Sequence, residues 1–315
     1  MDYWLSEVQA DRPVVTYTGA ALTASMRDTW PSTPVVLITR RSIVAGLTEQ
    51  RRRALLSGTG AYDSVLFKED LNKGEELDHA RQLLVALASG YRALKESPSA
   101  DWSTLLQLLQ AQPEEEESLH EAAPPLLEGT WVTAEVSAWV RQVLFRFPGI
   151  LHDSMHAATT LGISETCFRE RCCDFFRSAR YDGVFHQESP RWWKRRILDL
   201  ATGLALEESC RGPLAEAFGV AFERRFHTSL EPTICVWDGT PVADYVCAVL
   251  NRPVRLEHSL RYYPDRRPPV MDPARVSFRA IRESNEFDER FIDAGGAALI
   301  PQIEACEDPR GHEGR

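Results

Sequence analysis

The chain has 315 residues, 43% of them apolar and 26% charged, and a formal net charge of −10 at pH 7. These are the proportions of an ordinary globular protein of about two domains, with ample chain to bury a core without disulfide staples. The acidic balance disfavours non-specific nucleic-acid binding by the whole surface, although a local basic patch can still act. No run approaches the roughly 18 apolar residues of a membrane span. The chain does not open on a basic segment followed by an apolar core, so neither a membrane anchor nor a signal peptide is expected. The seven cysteines are scattered and odd in number, with Cys172 and Cys173 adjacent and no C-x-x-C pair. That usage fits a reducing cytoplasm.

Asp2–Leu5 and Val14–Tyr17 are the first apolar segments. Leu22, Met26 and Trp30 then recur at helical spacing over Gly19–Trp30, and Pro31 and Pro34 end that helix. A strand is predicted over Val35–Thr39, a helix with a basic face (Arg51, Arg52, Arg53) over Thr48–Leu56, and a second strand over Val65–Phe67 closed by Lys68. A long amphipathic helix follows over Glu75–Lys95. Strand and helix alternating at this spacing predict parallel βαβ units. Thr39 and Lys68 then end neighbouring strands on one side, where an open α/β sheet forms its crevice. A hydroxyl and an ammonium there suit an anionic group.

Asp101–Gln110 reads as a short helix, and Pro113–Glu117 with Pro124-Pro125 as an acidic, proline-flanked linker. Beyond it, Thr130–Phe147 carries apolar residues all round and predicts a buried helix broken by Pro148-Gly149. Helices are predicted over Ile150–Leu161, Ser164–Ala179, Arg191–Leu206, Pro213–Phe226, Val242–Leu250 and Glu286–Ile292. Strands are predicted over Thr233–Trp237 and Val276–Ile281, and a disordered tail after Asp308.

Asp2-Tyr3-Trp4-Leu5, Thr18-Gly19-Ala20-Ala21-Leu22, Pro34–Thr39 and Tyr62–Lys68 together resemble the later half of a response-regulator receiver domain over residues 2–95. Receivers carry a phosphoacceptor aspartate ending the third strand, Thr or Ser ending the fourth and Lys ending the fifth. The resemblance implies Asp2 as phosphoacceptor, with Thr39 and Lys68 as phosphate contacts. It also implies a histidine kinase or other signalling protein as partner, and a place in bacterial stress or defence signalling. The acidic pair that holds Mg²⁺ in receivers would lie ahead of Met1, so Mg²⁺ is expected only with the first strands restored. An amino-terminally shortened receiver is the expectation. Arg40 and Glu69 depart from the small residue and the proline that receivers place there.

Several patterns in the second half carry chemistry. His152 and His156, with Asp153, have a spacing that can bind metal, though a bare pair more often marks half-buried histidines. Arg191, Trp192, Lys194, Arg195 and Arg196 form the most basic patch, suited to phosphates with tryptophans stacking on bases. Gly162 ahead of the Ser164 helix suggests the turn of a helix-turn-helix. Ser277 with His258 and an aspartate (Asp265, Asp272 or Asp288) makes a triad on paper but lacks a nucleophile elbow. Cys167, Cys172 and Cys235 have no motif context, and a buried thiol is the default reading.

The expected fold class is therefore an α/β amino-terminal partial flavodoxin-like receiver followed by a mainly α-helical second domain with a few carboxyl-terminal strands. The expected divisions are a receiver-like domain over 1–97, a helix and acidic linker over 98–125, a helical output or interaction domain over 126–308, and a tail over 309–315. The expected function is that of a response-regulator-like signalling or adaptor protein. Alternatives are a DNA-binding regulator acting through residues 164–196 and an enzyme with a site in residues 230–300.

Overall fold

The computed structural model describes residues 19–45, 62–72, 74–241, 243–263, 267–284 and 286–306. Asp2, the segments expected over residues 2–5 and 14–17, the Thr48–Leu56 helix, Asp265 and the tail after Asp308 lie outside the described residues. The fold is mixed α/β: many helices, a parallel strand pair, an antiparallel strand pair and a four-stranded sheet. It divides into two compact units. The first runs to Val143 and takes in Asp182–Ser189; the second comprises Leu144–Tyr181 and the chain from Pro190. This division falls later than the boundary expected at residues 98–125. Among the described residues no helix is long and apolar enough to cross a membrane.

In the first unit, α1 (Gly19–Thr29) leads to β1 (Val36–Thr39), α2 (Arg41–Ala45), β2 (Ser64–Phe67) and α3 (Gly74–Lys95). β1 and β2 pair in parallel with Thr39 opposite Phe67, and the Lys68 N–H donates to the Thr39 carbonyl at 2.8 Å. Val35, Leu37, Val44 and Tyr62 form the core under this pair. α3 buries Leu83, Leu87, Tyr91 and Leu94 on one stripe, as its spacing predicted.

The acidic segment is a helix rather than a spacer. In α5 (Pro113–Ala122) Pro113 takes the first turn, where its missing N–H costs nothing, and the Glu115 carboxylate accepts the Gln112 N–H at 2.6 Å. α5 sits between α4 (Trp102–Leu109), capped by Asp101, and α6 (Thr133–Trp139). The Trp139 indole donates to the Ala122 carbonyl at 3.0 Å, and Trp102 packs on Trp139 at 6.0 Å.

Gly90 on α3 faces Phe185, and a Cβ there would lie 2.3 Å from the ring. Gly90→Ala is expected to lower stability by about 1–3 kcal/mol through overpacking. A urea midpoint within error of the native value would show that the ring yields freely.

In the second unit, β3 (Leu151–His152) pairs antiparallel with β4 (Trp192–Trp193). α7 (Ser154–Thr160), α8 (Lys194–Glu207) and α9 (Leu214–Phe226) surround a helical core that includes Phe168, Phe176, Ile197, Phe218 and Phe222. β5 (Tyr245–Cys247), β6 (Arg252–Val254), β7 (Ser259–Arg261) and β8 (Arg275–Ser277) form a sheet in the order β6-β5-β8-β7, with β5 and β8 parallel. α10 (Phe278–Glu283) and α11 (Ile300–Ala305) belong with it, and Val254, Val276, Ile281 and Ile303 share its core.

Several expectations fail here. The strand expected over Val276–Ile281 ends at Ser277, whose side chain caps α10 over Phe278–Glu283. The helix expected over Val242–Leu250 is instead β5 and a turn. A short apolar run is ambiguous between strand and buried helix, and Tyr245-Val246 favours the strand. The strand expected over Thr233–Trp237 is a tight loop closed by an isolated bridge between Ile234 and Pro241. Ser164–Ala179 is no continuous helix. After the Ser164-capped turn it becomes a π-turn over Phe168–Cys172 and a 3-10 turn over Arg177–Ala179. The anchoring of Phe168, Cys172 and Phe176 in the core explains the change of pitch, and a recognition helix is lost with it.

Candidate functional site

The second unit contains a cavity of about 950 Å³. Aromatic and aliphatic side chains, Phe145, Phe147, Tyr262 and Val249 among them, line part of its wall. Its polar wall gathers His152, Asp153, His156, Arg191, Lys194 and Asp272. Polar groups converging on a cavity that apolar side chains also wall are a common form of small-molecule site.

Local structure explains how these residues meet. His152 ends β3 opposite Trp192, and the chain turns at once into α7, so Asp153 becomes the helix N-cap. Its Oδ1 accepts both the backbone N–H and the Nδ1–H of His156 at 2.8 Å. Its other oxygen lies 3.3 Å from the Arg191 guanidinium, which also stands over the Phe145 ring at 5.6 Å. Lys194 opens α8. Asp272 arrives from a distant part of the chain, and Gly149 admits it. At φ 153° Gly149 carries no side chain, and a Cβ there would lie 2.8 Å from the Met271 backbone. The Asp272 N–H donates to the Pro148 carbonyl at 2.9 Å.

The result is two carboxylates, each holding an imidazole and a cation. Asp272 binds His152 Nε2 at 2.9 Å and Lys194 Nζ at 2.5 Å. Burial alone would raise the Asp272 carboxyl, but the His152 hydrogen bond and the Lys194 charge outweigh it and hold it well below the usual carboxylate range. Asp153 is lowered in the same way by His156 and Arg191 against its burial. His152 is only 2% exposed, and burial pushes its pKa down despite Asp272. Burial is the largest cause, and the nearby His156 and Lys194 charges add to it. Nε2–H then donates to Asp272, and Nδ1 faces the Thr160 hydroxyl at 3.4 Å.

Three wall residues carry a buried polar atom without a hydrogen-bond partner among the described residues: Thr159 Oγ1, Arg191 Nε and Arg267 Nε. The two arginine atoms can only donate. With Nδ1 committed to Asp153, His156 has Nε2 left for a ligand. The arrangement can therefore meet acceptor oxygens with charged donors, and the Asp153–His156 dyad can exchange a proton with a bound molecule.

The basic patch is divided by this fold. Arg191 and Lys194 turn to the cavity, whereas Arg195 is exposed near Asp199 and Arg196 lies over the Trp193 ring at 4.9 Å. Trp192 is 5% exposed and Trp193 fully buried, so neither offers a face to a nucleic-acid base. His152 and His156 are not a helical pair, since His152 belongs to a strand. Ser277 is buried and caps α10 by accepting the Ala280 N–H at 3.1 Å, which removes it from any triad. His258 instead faces Cys235 and Asp238. In the first unit Thr39 and Lys68 do end neighbouring strands, with the Thr39 side chain buried and Lys68 exposed.

No family model, curated protein or solved structure matches the chain.

Proposed function

We propose that the second unit binds a small molecule bearing a carboxylate or phosphate on an apolar body, in the cavity walled by Arg191, Lys194, His156 and Asp272. The observation that carries this reading is the convergence of Arg191, Lys194 and His156 on one wall of a cavity that Phe145, Phe147 and Tyr262 also line. The aromatic wall suits a flat or aliphatic body.

Phenyl phosphate is a suitable probe, with phenol as the uncharged control. Calorimetry on the full chain is expected to find saturable binding of phenyl phosphate and none of phenol. Arg191→Gln should weaken it about ten- to a hundredfold, the value of one charge-assisted hydrogen bond. Equal affinity in wild type and Arg191→Gln would remove Arg191 from the site and the reading with it.

A second reading concerns the first unit. The parallel β1–β2 pair, with Thr39 and Lys68 at adjacent carboxyl ends, supports a receiver-like signalling role. In that reading Asp2 accepts a phosphoryl group from a histidine kinase or another acyl-phosphate donor, with Mg²⁺ taking part only where the first receiver strands are restored. Acetyl phosphate with Mg²⁺ should label the full chain and fail to label Asp2→Asn. Equal labelling of both proteins rules Asp2 out.

A further inference from the structure

Cys235, Asp238 and His258 bring three chemically different donor atoms together away from the cavity. The three ligand atoms all lie within 4.8 Å of one another. Cys235 Sγ is 3.6 Å from His258 Nδ1, and Asp238 Oδ2 is 3.7 Å from the same nitrogen. A catalytic relay would set the thiol and the carboxylate on opposite nitrogens of the imidazole. Here both address Nδ1, so the geometry converges on a point rather than passing along a line.

We infer that this cluster is a zinc site with three protein ligands: the Cys235 thiolate, Asp238 Oδ2 and His258 Nδ1. Bonds of about 2.0–2.3 Å meeting at tetrahedral angles set ligand atoms about 3.3–3.7 Å apart. The Cys235–His258 distance matches the sulfur–nitrogen edge, and the Asp238–His258 distance exceeds the oxygen–nitrogen edge by roughly 0.3 Å, so an ion enters with a small closing shift of Asp238. One sulfur, one nitrogen and one oxygen form a mixed set that suits Zn²⁺ over the hard cations Mg²⁺ and Ca²⁺.

The surrounding chain is built to hold these atoms. Cys235–Thr240 is a knuckle: the Cys235 N–H donates to the Thr240 carbonyl at 2.9 Å, and the Gly239 N–H to the Cys235 carbonyl at 3.0 Å. Gly239 sits at φ 78°, which turns Asp238 back toward Cys235. The Thr240 N–H and hydroxyl both donate to Asp238 Oδ1, at 3.1 and 2.8 Å, which leaves Oδ2 directed at His258. The Phe278 ring meets the His258 ring edge to face at 6.2 Å and fixes its plane. Such outer partners orient metal ligands. Cys235 is fully buried, whereas the Asp238 and His258 side chains are 18% and 22% exposed, so a fourth position opens toward solvent. An open fourth position is the mark of zinc sites that also take a water or substrate ligand.

The test uses the reduced, metal-stripped full chain titrated with Co²⁺, then Zn²⁺. Wild type is expected to give a thiolate-to-cobalt charge-transfer band that Zn²⁺ displaces. Cys235→Ser should abolish the band. His258→Gln and Asp238→Asn, at partly exposed positions, should keep the native circular dichroism and weaken binding by at least roughly tenfold. Absence of the band in folded wild type, or its persistence in Cys235→Ser, overturns the assignment. Phenyl phosphate binding should be the same in His258→Gln as in wild type, which separates failure of this site from failure of the cavity.

Discussion

Asp63→Ala is expected to destabilise the protein by about 3–5 kcal/mol, the cost of leaving a buried charge without its partner. Asp63 precedes β2, and its carboxylate is 3% exposed. One oxygen accepts the Arg27 guanidinium at 2.5 Å and the Val35 N–H at 2.7 Å; the other accepts the Tyr91 hydroxyl at 2.6 Å and the Ser137 hydroxyl at 3.0 Å. One side chain thus ties α1, β1, α3 and α6. Arg27 is itself 11% exposed and also donates to Tyr91 at 2.8 Å. Burial would lower the Arg27 pKa, yet Asp63 and Tyr91 raise it. A guanidinium stays protonated in proteins even without such help, so loss of Asp63 leaves its charge without a counter-ion. Arg27→Met in the same chain should recover only part of the loss, because Val35, Tyr91 and Ser137 still lack their acceptor. Urea unfolding followed by circular dichroism measures both. A loss below about 1 kcal/mol would place Asp63 with ordinary surface pairs.

Asp272→Ala is expected to cost about 2–3 kcal/mol and to alter the acid limb of stability. The figure is smaller because Asp272 and Lys194 are each about a third exposed and partly screened. The pH dependence follows from three depressed pKa values. His152 titrates lower in the fold than in the unfolded chain, so below about pH 6.5 the unfolded state binds a proton that the native state does not. Stability therefore falls as pH drops through that value. Asp153 and Asp272 are depressed as well, so their contributions are complete above about pH 4 and fade as pH falls further. Each group adds at most about 1.4 kcal/mol per pH unit. In Asp272→Ala the loss below pH 4 should become shallower. The loss beginning near pH 6.5 should remain, since burial is its cause and Asp272 opposes it. A wild-type stability that is flat from pH 7 to 5 would mean that burial does not depress His152.

The sequence revealed α1, β1, β2 and α3 because their patterns are long or sharply bounded: α3 spans 22 residues, and Pro31 and Pro34 mark the entry to β1. The glutamate run concealed α5, although Pro113 followed by acids in the first turn is itself a helix-start signature. Arg191–Arg196 looked like one basic face, yet a strand-to-helix junction at Trp193-Lys194 sends adjacent side chains to different surroundings. The cavity depends on contacts across 78 to 120 residues between Asp272 and its partners, and no local pattern encodes those. His152 and His156 were visible, but their separation by an N-cap was not. Cys235 and Asp238 stand three apart in a glycine-closed turn, a signal that spacing alone gives once His258 is paired with it.

Histidine side-chain nitrogen NMR of the ¹⁵N-labelled full chain, titrated with phenyl phosphate, tests the central claim most directly. The cavity reading predicts saturable shifts of the His156 ring nitrogens, smaller ones at His152, and none at His258. Arg191→Gln should raise the concentration at which they saturate. Unchanged His156 nitrogens at saturating probe, or shifts confined to histidines outside the cavity, would contradict it.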